Sequence, residues 1–174
     1  MNNLIFKYFI IFIFCILGQI FISEYLNIWH LLYITFFTPF IISIPITINK
    51  SLYIIIAFII GFLVDIFADG LLGLNAAALV AMTYSRGFIL RLPLFRLNLD
   101  NIENSPILPR NLGIVNYIIL NTFLYIVFFF FYIILDYSYS FPIGYLLLKL
   151  TICVIINTLI SVLINSTLLP KIIK

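Results

Sequence analysis

Apolar residues run along this chain in six long stretches, roughly 4–22, 28–48, 51–67, 71–92, 114–135 and 143–168, and short links between them hold most of the charges. A bilayer core of about 30 Å takes about 20 helical residues per crossing, and each stretch is near that length. A lone strand would leave its backbone groups unmatched in lipid, and barrel strands are shorter and alternate, so the stretches predict helices. The expected fold is all-α: a polytopic bundle of about six transmembrane helices, forming one integral membrane domain over residues 1–174. One link is longer than the rest, at about 93–112. It carries Pro93, Pro106 and Pro109, several asparagines and charges of both signs, and shows neither helical nor strand periodicity. No internal repeat stands out.

Composition agrees with the pattern. Apolar types make up 65% of the chain, charged residues 9% and aromatics 18%, whereas a soluble domain carries about a quarter charged residues. Such a chain needs lipid as part of its solvent, and six crossings leave no length for a second domain. Lys7, followed by an apolar run, resembles the start of a signal peptide, but the run passes through Gly18 and Gln19 to Ile22 without a small-residue cleavage site. A retained first helix is expected.

The net charge of +3 matters less than its distribution. Lys7, Lys50, Arg91, Arg96, Arg110, Lys171 and Lys174 fall on one side of the predicted bundle, the long link adding Asp100 and Glu103. The other side has only Glu24, Asp69 and Asp136. Because basic residues stay in the cytoplasm, both termini and the 93–112 loop are expected there. No nucleic acid partner is expected.

Away from the ends of the runs three charged residues sit inside them, where a charge costs about 2.5–3.5 kcal/mol at mid-helix. Arg86, near the cytoplasmic end of the fourth run, is expected to snorkel to the headgroups. Asp65 and Lys149 lie at similar depth toward the outer side. Either they form an intramembrane ion pair or each reaches the interface separately.

Small residues four apart let helices approach closely in lipid. Ala57 and Gly61 form one such row, and Gly73, Ala77 and Ala81 another. In the sixth run Cys153, Asn157, Ser161 and Asn165 recur every four residues, a row suited to interhelical hydrogen bonds, with a substrate-lining role as the alternative. Pro39 and Pro45 predict a kinked second helix, with Thr35 and Thr38 placed to satisfy freed backbone groups. The sharper form of that reading is a broken helix of the sort transporters use at binding sites. Asp69 is placed to cap the fourth helix, with Gly70 relieving the turn.

Enzyme chemistry finds little footing. Asp65 and Asp69 superficially suggest the paired carboxylates of a metal-dependent phosphotransferase, but further acidic ligands and a partnering arginine are missing nearby. His30 is the one histidine in the chain and has no triad or metal-ligand neighbours, and Trp29 beside it suits an interfacial anchor. Cys15 and Cys153 read as small polarizable hydrophobes. No catalytic, cofactor or metal residues are assigned.

The stretch GFLVD from Gly61 to Asp65, the turn at Gly70, and GLNAAA from Gly73 through Asn75 resemble the signature of the rod shape-determining protein MreD family. Thr38-Pro39-Phe40, Arg86, Arg91, the length and the six-helix layout fit as well. The specific residues cluster between Gly61 and Arg91; the second half matches only in hydropathy and loop placement. The resemblance implies a non-enzymatic scaffold of bacterial cell elongation and peptidoglycan synthesis in the inner membrane. Such a scaffold works with a MreC-like, periplasm-facing protein, and through it with the cytoskeletal filament MreB and a peptidoglycan glycosyltransferase–transpeptidase pair. Ala57, Gly61, Asp65, Asp69, Gly70, Gly73, Asn75, Ala77, Ala81 and Arg86 would then form the helix-packing surface. The alternative is the substrate-binding membrane subunit of an energy-coupling-factor transporter, whose helix arrangement is similar.

Overall fold

The computed structural model describes residues 13–23, 31–69, 71–92, 106–136 and 142–167. Lys7, Glu24, Trp29, His30, Gly70, Pro93, Arg96, Asp100, Glu103, Lys171 and Lys174 lie outside them, as do both termini. Among the described residues the protein is all-helical, with no strand. The elements are α1 at Ile13–Ser23, α2 at Thr38–Ser43, α3 at Lys50–Val64, α4 at Leu74–Ile89, α5 at Pro109–Leu112, α6 at Ile114–Leu135 and α7 at Ile143–Thr167. The end of α3 widens into a π-helical turn, Asp65–Asp69.

Three helical stretches are long and apolar enough to cross a membrane: Lys50–Ala68, Ile114–Leu135 and Ile143–Thr167, of 19, 22 and 25 residues. Their outer faces are greasy. Leu52, Ile55, Phe58, Phe123, Phe130, Ile155 and Leu159 are all exposed, a belt that water would not tolerate and lipid accepts. Polar side chains point the other way, for Asn121, Asn157, Ser161 and Asn165 are all fully buried.

The second apolar run does not form the expected kinked helix. Residues 31–37 are not helical, and only Thr38–Ser43 is. Pro39 stands in the first turn of α2, where its missing N–H costs nothing, and Pro45 follows Ile44, which has left the helix at φ −58°, ψ 134°. The prolines therefore bound a short helix rather than bend a long one. The run still spans the bundle alongside α4, because Tyr33 bonds Asn75 at the start of α4 and Ile44 bonds Arg86 near its end.

Helices α3 and α4 pack antiparallel and very close. A Cβ at Gly61 would stand 2.5 Å from the Ala76 Cα and 2.6 Å from its N, so only glycine fits against that backbone. Fully buried Ala57 continues the contact one turn away. The end of the long link also differs from expectation. Ile107, Leu108 and Leu112 are buried, Pro109–Leu112 is helical, and the Ile107 N–H donates to the Ser43 carbonyl at 3.0 Å. Three apolar residues in a stretch rich in proline and asparagine are enough to draw it into the core.

Candidate functional site

Three places in the bundle gather the residues that carry polar or packing character: a corner at Asp65, a polar core against α7, and the outer face of α4. The corner forms because α3 ends where α4 begins. Asp65 is fully buried. Its carboxylate accepts the N–H of Gly73 at 2.9 Å, of Asn75 at 2.8 Å and of Ala76 at 3.2 Å, and the Asn75 side-chain amide at 3.0 Å. Those backbone donors are the ones a helix start leaves unmatched, and the helix dipole favours an anion there. Gly73 stands at φ 99°, a left-handed conformation that lets the chain turn back onto this carboxylate. Tyr33 donates its hydroxyl to Asn75 Oδ1 at 3.1 Å and stacks on Tyr132 at 4.6 Å, tying the corner to α6.

Asp65 caps the start of α4. It comes from the end of the preceding helix, close enough to reach three backbone donors because Gly61 lets the helices touch. It does not pair with Lys149. The Lys149 Nζ donates to Asp136 Oδ2 at 3.1 Å. Asp136 lies just before the chain turns into α7, whereas the carboxylate of Asp65 is already saturated by N–H groups.

The polar core answers a different need. Residues 31–37 form no helix, so their backbone groups must find partners elsewhere, and they find them on two sides. Toward α7, Asn157 accepts the Thr35 N–H at 2.7 Å and donates to the Tyr33 carbonyl at 2.8 Å. Cys153 Sγ accepts the Tyr33 N–H at 3.3 Å and donates to the Leu31 carbonyl at 3.4 Å. Toward α1, Gln19 donates to the Ile34 carbonyl at 3.0 Å and accepts the Phe36 N–H at 2.7 Å. Two side-chain amides and a thiol thus take the place of the missing helical hydrogen bonds, which permits non-helical chain inside an apolar bundle.

Farther along α7, Ser161 donates to Asn121 Oδ1 at 2.7 Å and shares a hydrogen bond with Tyr117 at 3.2 Å. Asn165 donates to the Pro39 carbonyl at 3.1 Å and to the Tyr117 hydroxyl. Thr38 bridges Thr35 at 2.6 Å and Tyr125 at 2.8 Å. The four-residue row of the sixth run therefore faces inward as hydrogen-bonding side chains, with Cys153 acting as a bonded thiol rather than a plain hydrophobe. Gln19, Tyr33, Asn121 and the tyrosines of α6 had no assigned role in the sequence. A lone amide inside an apolar run, as at Gln19, was the one available signal.

The two small-residue rows part company. Ala57 and Gly61 are consumed between α3 and α4, while on α4 Ala77 is exposed and Gly73 and Ala81 are partly so. Nothing lies within 4 Å of a Cβ built at Gly73. The expected packing surface is thus divided: Ala57, Gly61, Asp65 and Asn75 face inward, and Gly73, Ala77 and Ala81 face outward. The side chain of Asp69 and all of Gly70 fall outside what is described.

Arg86 does not snorkel. It is 4% exposed and turns inward, donating through Nη2 to the Ile44 carbonyl and lying 4.6 Å from the centre of the Tyr53 ring. The carbonyl that leaves α2 before Pro45 is a nearer acceptor than the headgroups. Among the described residues no group of three or more His, Cys, Asp or Glu is placed to hold a metal ion. The chain matches no family model, no curated protein and no solved structure.

Proposed function

We propose that this chain is a non-enzymatic scaffold of the bacterial cell-elongation machinery, of the kind its resemblance to the MreD family implies. It crosses the inner membrane six times with both termini in the cytoplasm, and it packs by helix contact against a MreC-like partner. Through that partner it serves peptidoglycan synthesis guided by MreB. One observation carries the reading: the outward row Gly73, Ala77 and Ala81 is open, while its counterpart on α3 is already used inside the molecule. In lipid, apolar burial gives helices no net drive to associate, so an open row of small residues is what a partner helix needs for close packing.

The test is co-purification in mild detergent of the wild type and of Ala77→Leu/Ala81→Leu. Gly73 is spared because its positive φ would confound the result. The MreC-like partner should be retained several-fold less by the variant at unchanged thermal stability; equal retention would sink this face as the contact. The transporter-subunit reading draws on the non-helical segment 31–37 within the bundle, which resembles a discontinuous helix. Most polar groups around that segment are bonded to one another or to backbone, which favours the scaffold. Recovery of an energy-coupling module with paired ATPases would reverse the order.

A further inference from the structure

A second site is built where the turn after α2 meets the start of α3 and the end of α4. A cavity of about 120 Å³ lies there, walled by Pro45, Ile48, Tyr53 and Leu90, with Arg86 and Lys50 both lining it. Its rim residues Ile46, Lys50 and Gly87 are exposed. Arg86 is the unusual member. Its guanidinium is permanently charged, it is 96% buried by the exposure already given, and no carboxylate among the described residues pairs with it. Its Nε has no hydrogen-bond partner. Lys50 at the rim rests its ammonium 4.1 Å from the Tyr84 ring centre, again without a carboxylate. Two cationic residues thus line one cavity, and a buried charge in an apolar bundle is normally matched.

We propose that this cavity binds a phosphate group, carried either by an anionic phospholipid headgroup or by free phosphate. The volume is that of about four waters, room for one tetrahedral oxyanion. Arg86 lines the cavity, and the planar guanidinium, of which Nη2 alone is given to a carbonyl, suits phosphate oxygens, while Lys50 adds a point charge at the mouth. The apolar remainder of the wall suits the glycerol end of a lipid. This site is separate from the outward face of α4 and does not depend on the scaffold reading.

The experiment uses the full chain, purified in detergent, delipidated, and titrated with phosphatidylglycerol under native mass spectrometry. Diacylglycerol serves as the phosphate-free control. In parallel, thermal unfolding is followed in inorganic phosphate against chloride at equal ionic strength. Arg86→Gln removes the central donor. Gly87→Leu leaves both cations in place and fills the rim, where a Cβ meets nothing within 4 Å. Phosphatidylglycerol should bind more tightly than diacylglycerol, and each substitution should weaken it about tenfold, the loss expected for one charged hydrogen bond. Stabilisation by inorganic phosphate that Gly87→Leu abolishes, with no lipid preference, would support the site and assign it to soluble phosphate. The proposal is overturned if neither probe binds, or if both variants bind as the wild type does.

Discussion

Asp65 and Arg86 sit near opposite ends of the α3–α4 pair, both buried and both charged, yet they are solvated very differently. Asp65 has four N–H donors converging on two oxygens, three of them from the start of a helix. Arg86 has one carbonyl, the face of one ring, and an Nε left without a partner. The first charge is complete within the chain, and its removal would leave a helix start unmatched. The second is incomplete, and the fold carries it as a cost. A buried charge that the protein itself saturates is part of the architecture; one that it leaves short is held for something that arrives from outside.

Substitutions separate the two roles. Asp65→Ala should be the most damaging, destabilising the protein by about 3 kcal/mol or more, since several buried donors lose their acceptor together. Chemical or thermal unfolding in detergent measures it. Tyr33→Phe removes a single hydroxyl from the same corner while keeping the stack on Tyr132, and a loss of about 1 kcal/mol is expected in the same assay. Arg86→Met should change stability least, by under about 1 kcal/mol in either direction, because an apolar replacement relieves an under-matched buried cation. If Arg86→Met cost as much as Asp65→Ala, the contrast between a saturated and a short-handed charge would collapse.

Helices with uniform apolar runs were legible in the sequence. The runs at 114–135 and 143–168 anticipate α6 and α7 to within a residue, and the run at 51–67 anticipates most of α3. The second run was not legible, because hydropathy measures what lipid accepts and says nothing of where backbone donors go. Its conformation depends on Gln19 and on Asn157, which lies over a hundred positions away. At the candidate site, sequence depth put Asp65 near Lys149, but depth alone ignores the N–H groups that a close α3–α4 approach delivers. Gly61 carried that information: a glycine four residues before the aspartate permits the approach. Arg86 misled for the converse reason, since its acceptor is a carbonyl freed by the same prolines that broke the second run.

The clamp on residues 33 and 35 also has a history in time. Its partners on α7 are 120 to 124 positions downstream, and a chain leaves the ribosome from its N-terminus. Throughout most of synthesis the segment at residues 33–35 therefore exists without the α7 groups that complete it, and it settles only when α7 packs against it. A product cut short before residue 143 leaves those amide and carbonyl groups without their α7 partners, and in an apolar surrounding each costs several kcal/mol. Helix α7 thus closes this part of the bundle and makes its own arrival a condition for residues 33–35 to hold.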